Sequence, residues 1–248
     1  MVTKMRRIYA ILCCSFLFTA CDKHDPILPG VRTPIFGTDQ ISVQNKTIAE
    51  IPEAAYVFDN SACPYTQDSN NVVWDGERKV FSGFPTNNTV SATVRPVCSG
   101  KYVYAGLSTG ELVKINPKSR QIMWIADIYR ASNMTGGASM VDIVAPVVPH
   151  GDSVYVAGLG DAFCRVNATS GDKKWCVNIG SALPFVVAGK YGFVVATDGN
   201  LYAISLSDGA VFWRSAVKRQ IAPNYDAGRV IVGSETFNVS DGKKILDK

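Results

Sequence analysis

The stretch Leu183-Pro-Phe-Val-Val-Ala-Gly-Lys-Tyr-Gly-Phe-Val-Val-Ala-Thr-Asp-Gly-Asn-Leu-Tyr-Ala-Ile-Ser-Leu-Ser-Asp-Gly-Ala-Val-Phe-Trp213 decides the fold. It holds short runs of β-branched, aromatic and apolar residues, broken by Asp198-Gly199 and Asp208-Gly209. Runs of that length separated by Asp-Gly turns are antiparallel strands joined by tight hairpins, not helices. The run Tyr191-Gly-Phe-Val-Val-Ala196 is apolar nearly throughout, so both of its faces must be covered.

Three further stretches repeat the pattern. Arg95-Pro-Val leads to Trp124, Ala145-Pro-Val-Val to Trp175, and Ala222-Pro-Asn-Tyr to Leu246. The interval from proline to tryptophan is 28 residues for Pro96 to Trp124 and 29 for both Pro146 to Trp175 and Pro184 to Trp213. The last copy, Pro223 to Leu246, is shorter at 23 and reads as an atypical terminal repeat. A repeated unit of strand, hairpin and hairpin, about 40 residues long, is a propeller blade, in which stacked neighbours cover both faces of every sheet. The expected fold is therefore an all-β propeller of four-stranded antiparallel blades. Trp124, Trp175 and Trp213 are expected to start the last strand of their units and to pack between adjacent blades. Upstream, Ala55-Tyr-Val-Phe58, Asn71-Val-Val-Trp74 and Arg78-Lys-Val-Phe81 form a degenerate first blade with Phe81 in the tryptophan place, which gives about five blades. Residues 129 to 145 are an insertion in one interval, and such loops often bind.

The N-terminus belongs to targeting. Lys4, Arg6 and Arg7 precede the apolar run from Ile8 to Phe18, a charged segment followed by an export core roughly half the ~20 residues a membrane helix needs. Removal of those three cations leaves 22 of the 25 basic residues against 21 acidic ones, which takes away any electrostatic case for nucleic acid. Residues 1–20 are thus expected to be a signal peptide. Residues 21–50, with Pro26, Pro29 and Pro34, are expected to be an extended tether, and residues 51–248 the repeat domain.

Gly106-Leu-Ser-Thr-Gly110 fits the G-x-S-x-G nucleophile pattern, which requires a strand, a sharp turn and a helix. Here Glu111-Leu-Val-Lys-Ile115 follows as another strand, so Ser108 reads as a hairpin residue, and His150 in Pro149-His-Gly-Asp reads as a solvated turn. No cysteine spacing suits zinc. Cys164 and Cys176 flank the turn Ala168-Thr-Ser-Gly171 symmetrically. That places them opposite each other on neighbouring strands, at the separation of about 5 Å that a cross-strand disulfide requires. Cys63 and Cys98 are left either paired or free.

The residues 145 to 213 resemble the quinoprotein-like, PQQ-type repeat. Leu17-Phe-Thr-Ala-Cys21 resembles a bacterial lipobox, with Cys21 as the acylated residue. Together with Leu28-Pro-Gly-Val-Arg32, these features are similar to the BamB family of β-barrel assembly lipoproteins. The resemblance implies a non-enzymatic, lipid-anchored scaffold on the periplasmic side of the outer membrane, binding BamA and assisting outer-membrane protein insertion. It implies no cofactor, no metal and no nucleic-acid partner. The family's ring usually has eight blades, more than this chain supplies, and Asp22 after the lipid cysteine is a signal that retains enteric lipoproteins in the inner membrane. Two other readings remain: a ligand-binding or sensory propeller without a barrel-assembly role, and a fragment of a quinoprotein dehydrogenase.

Overall fold

The computed structural model describes residues 41–85, 94–129 and 141–245, and all of the secondary structure among them is β. The leader, Cys21, the greater part of the 129 to 145 insertion and Leu246 lie outside the described residues.

Among the described residues, nineteen strands form five antiparallel sheets in strict sequence order. The first blade has three strands, β1 (Tyr65–Gln67), β2 (Val72–Asp75) and β3 (Arg78–Ser82). The second has β4 (Val97–Ser99), β5 (Tyr102–Gly106), β6 (Glu111–Asn116) and β7 (Gln121–Asp127). The third has β8 (Val148–His150), β9 (Ser153–Gly158), β10 (Ala162–Asn167) and β11 (Lys173–Val177). The fourth has β12 (Val186–Ala188), β13 (Tyr191–Val195), β14 (Asn200–Ser205) and β15 (Val211–Ala216). The fifth has β16 (Asn224–Asp226), β17 (Arg229–Val232), β18 (Glu235–Asn238) and β19 (Lys244–Ile245). This is the architecture of propeller blades. One element differs from expectation: Ala55–Phe58 joins no sheet, and the first strand of the three-stranded blade is Tyr65–Gln67 instead.

The period of two along each strand distributes the core. Val154 and Val156 of β9 point into a cluster shared with the second blade, whereas Tyr155 and Ala157 point into one shared with the fourth. Likewise Val194 faces the third blade while Phe193 and Val195 face the fifth. The four hydrophobic clusters therefore lie at the four boundaries between successive blades. The central strands are apolar on both faces because both faces are interfaces.

The three tryptophans perform one repeated task. Each lies inside its outer strand, not at the start of it, opposite Lys114, Arg165 or Ala203 and next to a shift in the pairing register. The indole N–H of Trp124 donates to the carbonyl of Ala168 at 3.3 Å, that of Trp175 to Leu206 at 3.3 Å, and that of Trp213 to Val239 at 2.9 Å. Each acceptor stands three residues before the turn glycine of the next blade, Gly171, Gly209 or Gly242. All three glycines have positive φ, and the indole lies directly on them. A Cβ would come within 2.7 Å of the ring at Gly171 and 2.9 Å at Gly209. Glycine is thus required twice, for backbone handedness and for contact. Phe81 occupies the same register place in the first blade, opposite Val73, and there the next blade has Arg120 at φ 56° where the others have glycine.

Residues 41–50, expected to close the tether, belong to the packed unit. Val43 bridges Val211 in parallel, Gln44 and Lys46 donate their N–H groups to Val211 and Phe212 at 2.9 and 3.0 Å, and Ile48 is 1% exposed in the cluster between the fourth and fifth blades. The physical cause is the alternation of Ile41 and Val43, whose side chains pack against the third–fourth cluster while the backbone adds to an open strand edge.

Candidate functional site

Beyond the blade that Ile48 joins, the chain turns inward and crosses the molecule along the short inner strands. At the fifth blade the phenol of Tyr225, whose ionisation burial pushes up, donates to the carbonyl of Pro52. At the fourth, the N–H of Tyr56 donates to Val187 O at 2.7 Å. At the third, the Tyr56 hydroxyl donates to Pro149 O at 3.2 Å and its ring lies 4.3 Å from that of His150. At the second, Asn60 Nδ2 donates to Pro96 O at 2.9 Å, and Asn60 Oδ1 accepts from the N–H of Cys98 at 3.0 Å. The disulfide Cys63–Cys98, with Cα atoms 5.4 Å apart, then fixes the crossing to β4 before β1 begins. Asp59 holds the local turn by accepting from the Ser61 N–H at 2.8 Å, and its hydrogen bonds with Ser61 keep the carboxyl below the usual carboxylate range.

This strap spans the inner edges of four blades. Between it and those edges is a cavity of about 790 Å³, within the range of ligand and peptide sites. Val57 and Phe58 line it from the strap, and Val97, Val147, Phe185 and Val187 from the inner strands. Arg95, Asn60, Ser61 and Asn224 add polar groups. The lining suits apolar contact with a few directional hydrogen bonds.

The residues singled out from sequence are dispersed around this groove, not assembled in it. Cys164 is bonded to Cys176 with Cα atoms 4.2 Å apart, across β10 and β11. The strands are in direct register at that pair, although the shift beyond Arg165 sets Val166 opposite Lys173 instead of Lys174. Trp124, Trp175 and Trp213 stand at the outer rim of their blade boundaries, away from the cavity lining. Ser108 lies in the turn from β5 to β6 and exchanges hydrogen bonds of 2.8 to 3.0 Å with Asn71. A strand follows it, as a nucleophile elbow does not allow. His150 is not a free turn residue: it ends β8 against Tyr56. Among the described residues no group of three His, Cys, Asp or Glu side chains could hold a metal.

Tyr56 and Asn60 are the residues that sequence reading missed. The alternating Ala-Tyr-Val-Phe pattern signals an extended backbone, but it cannot distinguish a strand in a ladder from one laid across four blades. The Pro52 break just before it and the pairing of Cys63 with Cys98 were the available hints.

Beside Trp124, at the second–third boundary, lies a buried cation. Lys114, 6% exposed, donates to Ala168 O at 2.5 Å and sits 4.0 Å from the centroid of the Tyr102 ring. Burial, with Lys101 nearby, lowers its ammonium below the ordinary lysine range. It shares its acceptor carbonyl with Trp124, so it serves the interface between blades.

Comparison with known proteins agrees with this architecture. Residues 31–215 match the family model described as outer membrane protein assembly factor BamB. The BamB of Alkalilimnicola ehrlichii is 23% identical over 150 residues, covering 59% of this chain and 39% of that protein. The BamB of Yersinia pestis is 26% identical over 156 residues, covering 59% and 40%. The chain thus spans about two fifths of the length of these relatives. The crystal structure of BamB from Moraxella catarrhalis superposes with a TM-score of 0.52 at 15% identity, over 71% of this chain and 53% of that one, which is agreement in fold. With a family model matched across most of the blades, this chain belongs to the BamB outer membrane protein assembly factor family.

Proposed function

We propose that the protein is a non-enzymatic scaffold of outer-membrane protein assembly, held on the periplasmic face of the outer membrane by acylation at Cys21 and docked to the barrel-assembly protein BamA. The family match over residues 31–215 carries this reading. The physical design supports it: the cations Lys114 and Arg165 at two blade boundaries are committed to carbonyls of the next blade, and the strap and inner strands enclose an apolar groove. Such surfaces bind polypeptide and supply no proton-transfer pair.

The test is cross-linking and affinity purification from detergent-solubilised membranes of the source bacterium. Recovery of BamA with the tagged full chain is the expected result, and a functional tagged protein that never recovers it would overturn the reading. Cys21→Ala tests the anchor. It should abolish acylation and shift the protein from the membrane to the soluble or precursor fraction, whereas unchanged processing would count against it. A second reading, a propeller that holds a small apolar ligand, is favoured by the 790 Å³ cavity and would be supported by native mass spectrometry of the purified protein carrying a stoichiometric adduct.

A further inference from the structure

Five outer strands face solvent in this array, and the chain protects four of them. An outer edge that presents unpaired backbone groups is a template for another strand unless it is charged, bulged or covered. The first, third and fifth blades each carry an exposed lysine two residues before the tryptophan place, Lys79, Lys173 and Lys244, with a second cation next to it in the chain. The fourth blade is apolar at the same place, with Val211 and Phe212, and the chain's own Ile41–Lys46 segment lies along it. That cover leaves Val211 only 3% exposed.

The second blade is neither charged nor covered there, and its bulge is one that the fourth blade also carries beneath its cover. Ile122 and Met123 occupy the positions of Val211 and Phe212, two and one residues before the tryptophan, and Ile125 follows it. They are 50%, 45% and 48% exposed, and nothing among the described residues covers them. The register shift is also shared: Met123, like Phe212, is the extra residue of a bulge beside the tryptophan. The carbonyls of Ile122 and Met123 therefore stand where those of Val211 and Phe212 accept the N–H groups of Gln44 and Lys46.

We propose that the outer edge of β7 is a docking site for one extended segment of a partner polypeptide, with aliphatic residues at alternate positions, adding in parallel to the strand as Ile41–Lys46 adds to β15. The occupant's chemistry is read from the segment already seated on the sister edge. Its main chain supplies alternate N–H donors, and its aliphatic side chains fill the rim where Ile41 and Val43 sit on the fourth blade. The basic pairs on the two flanking blades restrict it to a single strand and favour neutral or acidic side chains at its ends. The site stands whether or not the protein docks to BamA.

The probe is a fluorescent peptide with the sequence of residues 39–48, titrated against the full chain by anisotropy. Binding is expected, with photocross-linking from a benzophenone placed at position 125. The double variant I122K/M123K, which gives the second blade the Lys173-Lys174 pair of the third, should weaken binding about tenfold or more while leaving circular dichroism and melting unchanged. V57K, at a residue 82% exposed on the strap, should not change it. Methylation of the peptide nitrogen that stands for Gln44 should weaken binding comparably, because it removes a main-chain donor. Binding that is indifferent to I122K/M123K overturns the proposal. So does concentration-dependent self-association, or flotation of the unacylated protein with phospholipid vesicles, that the double variant abolishes while peptide binding is unaltered, since the edge would then be a homodimer or membrane contact.

Discussion

The fourth and fifth blades meet through a tryptophan laid on a glycine; the first and second meet through amides. At the former boundary, Trp213 stacks on Gly242, reaches Val239 O with its indole, and is joined by Ser215 Oγ donating to Gly242 O at 2.5 Å. At the latter, Phe81 fills the register place without a polar reach. The bonds come instead from Gln67 Nε2 to Gly106 O at 2.8 Å and from Asn71, whose side chain holds the Ser108 backbone and hydroxyl and donates to Phe84 O. Asn71 is 1% exposed in the left-handed region at φ 60°, and the Gln67 Oε1 beside it is buried without a hydrogen bond. One large amphipathic ring fixes distance, orientation and a hydrogen bond at once, so it can be repeated without adjustment. The amide solution is particular to its site, and it leaves a lone pair unanswered.

Removal of the ring should separate the two boundaries most. Trp213→Ala empties a side chain that is 3% exposed and orphans the Val239 carbonyl, and chemical denaturation should record a loss of about 3–5 kcal/mol. Phe81→Ala should fall at the lower end of that range, because no hydrogen bond goes with it; an equal or larger loss would overturn the contrast. Asn71→Ala removes the hydrogen bonds of its side chain to Ser108 and Phe84 and puts alanine at positive φ, for an expected cost of about 2–3 kcal/mol by the same measurement. Gly209→Ala should cost about 2 kcal/mol, since the new methyl meets the Trp175 ring and the backbone is left-handed. The cost should shrink in a Trp175→Ala background if the ring contact is its main source.

A pH profile probes the fourth blade itself. Burial, reinforced by the hydrogen bond to Asp198 at 2.5 Å, raises the Tyr202 phenol to about 12 from 10.0. A folded-state value above the unfolded one stabilises the neutral form. That contribution is complete below pH 10 and is lost as the pH rises towards 12. Tyr202→Phe should therefore flatten the decline in stability over that interval; a slope unchanged from wild type would sink the assignment. The smallest effect belongs to the unlatched boundary. Arg120→Gly relieves left-handed strain at φ 56° where no tryptophan stacks, and should raise stability by no more than about 1 kcal/mol once the freer unfolded chain is counted.

The latched boundaries were legible in the sequence because their determinants are local and periodic. A proline, a turn glycine and a tryptophan recur at fixed spacing, and the register they imply places Cys164 opposite Cys176. The clasp around Asn71 and the strap through Tyr56 and Asn60 were not legible. They depend on which carbonyls of distant blades happen to be within reach, and Pro149 and Pro96 carry no mark in the sequence that they will accept a hydrogen bond. The packing of residues 41–48 was not legible for a related reason: Ile41, Val43 and Ile48 look like sparse apolar residues in a polar stretch until an open strand edge is set beside them.

The strap also has a consequence in time. Each blade and each latch joins segments close together in the chain, so the second, third and fourth blades can stack in the order in which they are synthesised. Pro52, by contrast, waits for Tyr225, 173 residues later, and Ile48 waits for Ser240. The segment that is synthesised ahead of the blades is therefore among the last to reach its place. Until the fifth blade exists, the strap lacks its Tyr225 anchor, and closure of that long loop is expected to follow the stacking of repeats.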